Sequence, residues 1–117
     1  MTNSLLTQQT CVPCRGDESS LNPQQAQEMH TQVPDWNLVD EKDILRLRRA
    51  FKFKDFASAL TFTQQVGELA EEQGHHPVLR TEWGKVTVTW WTHKIKGLHN
   101  NDFVMAAKTD ALYLNLG

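Results

Sequence analysis

The stretch from Lys54 to Gln73 limits the possible folds more than any other part of the chain. Phe56, Ala59, Leu60, Thr63, Val66 and Ala70 recur at intervals of three and four, which places them on one side of a helix. Phe62 and Leu69 widen that stripe, and Gly74 supplies the left-handed residue that ends it. A helix this long with one apolar side must lie against a sheet or other helices. The flanking segments carry the other periodicity. In Ile44 to Phe53, Leu45, Leu47, Phe51 and Phe53 share one parity and Arg46, Arg48 and Lys52 the other, the pattern of a half-buried strand.

Beyond the helix, Val78 to Trp83 and Lys85 to Thr92 read as two strands joined at Gly84. Val86, Val88 and Trp90 take one face of the second strand. Thr87, Thr89, Trp91 and His93 take the other, so His93 is expected on a rigid edge of the sheet. Asn22-Pro23 opens a short helix through about Gln32, asparagine capping and proline filling the first turn. Pro34 stops it, and the chain turns extended from Asp35-Trp36-Asn37-Leu38. A last helix starts near Asn100 and carries Phe103, Ala106, Ala107, Asp110, Ala111 and Leu114. No internal repeat is apparent. The order α-β-β-α-β-β-α predicts an α+β fold, an antiparallel sheet with helices packed on one face.

At 117 residues the chain is expected to form one domain, 21–117, behind a loose polar tail over 1–20. A formal net charge of −2 gives no general attraction to nucleic acid or anionic membrane. The longest wholly apolar run, Phe103 to Ala107, cannot span a bilayer. No basic, apolar export leader is visible, so a cytoplasmic protein with reduced cysteines is expected. Cys11-Val12-Pro13-Cys14 is a C-x-x-C, but neither a βαβ unit for redox work nor a second pair for zinc accompanies it. The basic parity of Arg46, Arg48 and Lys52 lacks interleaved aromatics and reads as a solvated sheet face.

The chemistry concentrates in Glu71-Glu72-Gln73-Gly74-His75-His76-Pro77, with a third imidazole at Thr92-His93. Histidine exchanges protons near neutrality. Adjacent rings diverge, so one of His75 and His76 can meet a ligand while a carboxylate orients the other. Glu71, one helical turn before His75, is the expected orienting group. Trp36, Trp83, Trp90 and Trp91 offer flat surfaces for a planar heterocycle. Each of these histidines can also be read as an ordinary surface residue. A metal site of Glu71, one of the paired histidines and His93 stays open, although neighbouring imidazoles chelate one ion poorly.

Glu71, His75-His76-Pro77, Trp83, His93 and Asp102 together resemble the pterin-4a-carbinolamine dehydratase family, also known as the dimerisation cofactor of a homeodomain transcription factor. Trp36-Asn37-Leu38, Arg49 to Phe56, Gly97-Leu98, Asn101-Asp102-Phe103 and Ala106-Ala107-Lys108 match as well. Cys11 to Gly16 resembles the leader of bacterial members, and the likeness runs from about residue 11 to 113. The resemblance implies a four-stranded antiparallel sheet with three helices on one side, assembled as a homodimer or homotetramer. It implies dehydration of a 4a-hydroxytetrahydropterin to quinonoid dihydropterin, which recycles the pterin used by aromatic amino acid hydroxylases. No metal or organic cofactor, no direct nucleic-acid partner and no membrane are implied. By this match His75, His76 and His93 carry the proton transfers. Glu71 and Asp102 orient or charge-stabilise them, and Trp36 and Pro77 wall the pterin site.

Lys96 and His99 depart from the pattern. The first stands where a small residue is usual, and the second where Thr or Ser would cap the last helix in a box closed by Asp102. Asn100 is expected to take over that cap. The competing expectation is a non-catalytic binding, assembly or transcriptional cofactor protein on the same scaffold.

Overall fold

The computed structural model describes Leu6, Gln9 and residues 20–116. Cys11 and Cys14 lie outside the described residues, as does most of the stretch expected to be a loose tail. Of that stretch, Leu6 is buried in the core and the Gln9 side-chain oxygen accepts from Asn100 Nδ2 at 3.1 Å.

From residue 20 onward the chain forms α1 (Pro23–His30), β1 (Asn37–Glu41), β2 (Ile44–Lys52) and α2 (Phe56–Gln73). It continues as β3 (Val78–Glu82), β4 (Lys85–Trp90), a 3₁₀ turn (His93–Ile95) and α3 (Asn100–Leu116). The strands make one sheet in the order β1-β2-β4-β3, every pair antiparallel. The expected α+β fold is therefore the observed one.

Alternation sets the register. Leu47 lies between Leu38 and Trp90, Phe51 opposite Val86, and Leu79 opposite Val88, so the apolar parity of all four strands faces the helices. Arg49 shares that parity. Its guanidinium lies 4.4 Å over the Phe51 ring and pairs with Asp110 of α3 at 2.6 Å. Asp110 also accepts from Trp36 Nε1 at 2.8 Å. Burial pushes the Asp110 carboxyl above its ordinary range, while the Trp36 and Arg49 bonds pull it down.

Caps define the helices. Asn22 and Gln25 close a reciprocal box at α1, and Asp55 accepts from the Ser58 N–H at α2. Gly74 ends α2 at φ 66°. The buried line of α2 is Ala59, Phe62, Val66 and Ala70. Phe56 and Leu60, expected within the stripe, are 44% and 51% exposed. They occupy one flank, which the sheet and α3 do not cover. Phe51 packs against Phe62 and Tyr113, each at 4.9 Å between ring centres, and edge-on to Trp36 at 5.8 Å. Burying one such ring contributes about 1.5–3 kcal/mol.

The first hairpin turn and the end of β4 depart from regular strand geometry. Lys42 and Asp43 turn the first hairpin with φ 55° and 63°, a left-handed pair usually given to Asn-Gly. The strand expected to reach Thr92 ends at Trp90. The chain then leaves the ladder, and Thr92 pairs instead with Gly97 across a tight loop. His93 therefore begins a 3₁₀ turn beyond the strand rather than riding on its edge. No described helix is long and apolar enough to cross a membrane.

Candidate active site

The left-handed Gly74 turns the chain sharply, and the His75 N–H stays tied to the Ala70 carbonyl at 3.1 Å. The imidazole of His75 is thereby laid parallel to the Trp90 indole, 5.7 Å between centres with 6° between planes. Its Nε2 meets Asp102 Oδ1 at 2.6 Å. Asp102 is fully buried, and a buried carboxylate needs its lone pairs filled. Its other oxygen accepts from Thr92 Oγ1 at 2.8 Å and from the His99 backbone N–H at 2.9 Å. With a carboxylate accepting at Nε2, the ring N–H is directed there, and Nδ1 lies on the opposite side of the ring.

His76 points the other way, as adjacent rings must. Its Nε2 lies 2.5 Å from Glu71 Oε2, and both side chains are exposed, 59% and 77%. Glu71 thus partners His76 rather than His75, its expected target. In a helix one turn separates residues 71 and 75, but Gly74 breaks the helix and redirects the ring of His75 inward. Pro77, half-buried, leads into β3.

His93 is exposed. Its ring rests on Trp91 at 4.3 Å and 37°, and the Arg46 guanidinium lies 4.1 Å from the Trp91 ring centre. It is joined to the His75 pair through its neighbour Thr92. Trp36 does not join them. It is 1% exposed and bonded to Asp110, two turns or roughly 12 Å along α3 from Asp102. Among the described residues no group of three or more His, Cys, Asp or Glu side chains is placed to hold a metal ion.

Three residues have partners that the sequence did not indicate. Thr92 is a polar residue on the apolar parity of β4, and that mismatch was the available signal. Trp90 lies on the same parity and, expected as a flat surface for a heterocycle, carries the His75 ring. His99 caps α3 itself, its Nδ1 accepting from the Asn101 N–H at 3.1 Å while Asp102 closes the box, so the cap expected of Asn100 falls one residue earlier. On the open sheet face, Arg48 donates to both Glu41 carboxylate oxygens at 2.8 Å and to Thr89 at 3.0 Å. That hydrogen bond holds the Glu41 carboxyl below its ordinary range.

An α+β scaffold that places two histidine–carboxylate pairs at the end of one helix is equipped for proton transfer. The chain belongs to the pterin 4 alpha carbinolamine dehydratase family, whose model matches residues 19–112. A protein of Nitrosococcus oceani described as "Putative pterin-4-alpha-carbinolamine dehydratase" is 55% identical over 107 residues, covering 92% of this chain and 95% of the relative. One from Saccharophagus degradans with the same description is 56% identical over 108 residues, covering 92% and 96%. A Brucella melitensis crystal structure, described as a transcriptional coactivator/pterin dehydratase, superposes with a TM-score of 0.73 at 33% identity, over 80% of this chain and 98% of that one. A pterin dehydratase-like protein described as a RuBisCO assembly factor shares the fold, with a TM-score of 0.58 at 24% identity.

Proposed function

We propose that this protein dehydrates 4a-hydroxytetrahydropterins to quinonoid dihydropterins by histidine acid/base catalysis, returning pterin to aromatic amino acid hydroxylases. The observation that carries this reading is the pair of oppositely directed couples, His75–Asp102 and His76–Glu71, on one loop. Hydroxide leaves C4a poorly. A general acid must protonate it into water while a ring-nitrogen lone pair forms the new double bond. A base then takes one proton from the resulting cation. His75 suits the base role: its Nε2 is held by a buried carboxylate, which leaves Nδ1 to accept while Asp102 stabilises the imidazolium. His76 and His93, both exposed, are the groups able to deliver a proton to the departing oxygen. Groups placed this way contribute about 10²–10⁴-fold each.

The test is a kinetic assay on freshly generated carbinolamine. Protein should accelerate dehydration, and His76→Ala and His93→Ala should each slow it at least about tenfold. Unchanged rates in both variants reject the catalytic assignment and leave the assembly or coactivator reading. Self-association as a homodimer or homotetramer belongs to the same proposal, supported by the exposed Phe56 and Leu60 flank of α2. Light scattering of the wild type and of Leu60→Glu tests it.

A further inference from the structure

We infer that Thr92 is a positioning residue that fixes the spacing between His75 and His93; the inference rests on the dehydratase reading above. Thr92 is 3% exposed and is engaged in two directions. Its backbone exchanges both hydrogen bonds with Gly97, at 2.8 Å and 3.4 Å, closing the loop that begins with His93. That loop is tight. Lys96 turns it at φ 51°, and Gly97 sits so near residue 20 that an added Cβ would lie 2.6 Å from the Ser20 Cβ. His93 is therefore held in place by the Thr92–Gly97 closure rather than by a strand.

The Thr92 side chain acts on the other histidine. Its hydroxyl donates to Asp102 Oδ2 at 2.8 Å, the His99 N–H fills the same oxygen, and Oδ1 is left directed at His75. Two donors from two different elements stop the carboxylate rotating about its Cβ–Cγ bond. The plane of Asp102 then sets the ring of His75, already stacked on Trp90. Thr92 is thus bonded at once to the loop that carries His93 and to the carboxylate that carries His75. Removing the hydroxyl leaves the His99 N–H alone on Oδ2, which loosens the plane of Asp102 and weakens the coupling of the two rings. A misplacement of about 1 Å can cost about 10²-fold in rate with substrate affinity little changed.

The experiment compares Thr92→Val, Thr92→Ser and Asp102→Asn in the carbinolamine assay. Valine keeps the shape and the backbone closure but lacks the donor; serine keeps the donor. The expected result is a fall in kcat of about 10- to 100-fold for Thr92→Val, KM within about twofold, and near wild-type kcat for Thr92→Ser. Wild-type kcat in Thr92→Val overturns the inference, and so does an equal loss in Thr92→Ser. If Asp102→Asn also keeps full activity, it is the assignment of His75 as base that fails. Loss in Asp102→Asn with none in Thr92→Val sinks the positioning role alone.

Discussion

His99 and Asp102 cap α3 reciprocally: the His99 N–H donates to the carboxylate at 2.9 Å, and the His99 ring accepts from the N–H of Asn101 at 3.1 Å. The start of the last helix and the orientation of a candidate catalytic group are therefore one structural unit. A carboxylate that closes a capping box has fixed dihedrals, and here it uses its remaining lone pairs on His75 and Thr92. Helix geometry and site geometry cannot be changed independently at this position.

Asp102→Asn turns one acceptor oxygen into a donor facing a donor. Dehydration should slow by about 10²-fold or more, and His75→Ala should do the same. Because the two act as a unit, the double variant should be hardly worse than either single one. Multiplied losses in the steady-state rates would show that His75 and Asp102 work separately. Urea unfolding of Asp102→Asn should also show a loss of about 1.5–3 kcal/mol for the charged hydrogen bonds.

The Asp110 carboxyl gives a pH signature. Burial raises it above its ordinary range despite Trp36 and Arg49, so the native chain holds this proton where the unfolded chain has released it. Its contribution favours folding most at low pH and declines as pH rises from the ordinary carboxylate value through the raised native one. The urea midpoint of wild type relative to Asp110→Asn should fall across that window and then level off. Arg49→Met, which removes the partly buried cation, should cost about 2–3 kcal/mol at neutral pH, less than a fully buried pair.

Asp55 behaves oppositely. The Ser58 N–H holds its carboxyl below the ordinary range, so this stabilisation is complete above that range and lost as pH falls through the native value. Asp55→Ala should melt lower than wild type at pH 7, and the two melting temperatures should converge as pH falls below the native value. A difference that persists in acid would mean the cap does not depend on the charge.

Lys96 sits at φ 51°, a left-handed conformation that costs a side-chain-bearing residue about 1–2 kcal/mol. Lys96→Gly should therefore raise the urea midpoint, by less than that cost because glycine also loses more chain entropy. Gly97→Ala should lower the unfolding free energy by about 1–3 kcal/mol, since its Cβ meets the Ser20 Cβ, and Ser20→Gly should recover part of the loss.

Alternation and capping residues made most of this fold legible. The β2 parity, Asn22-Pro23 and Gly74 each encode one local geometry and need no tertiary information. The misreadings share a different cause. Phe56 and Leu60 satisfy helical periodicity, but periodicity does not say how wide a face the sheet and α3 will cover. His99 as a cap was invisible because imidazole is seldom counted among capping side chains. In the candidate site, the residues were legible and their partners were not. Glu71 is spaced for His75 along an unbroken helix, and only the turn at Gly74 decides that it reaches His76 instead.

The sheet order β1-β2-β4-β3 puts the hairpin that follows His75 and His76 at one side of the sheet. Every residue proposed to take part in the dehydration, from Glu71 to Asp102, lies on one unbroken length of chain around that hairpin. A change elsewhere, in α1 or the first hairpin, can reach the chemistry only by altering the platform beneath it. Sequence drift on that remote half can thus reshape what the molecule adheres to while its reacting groups stay in register.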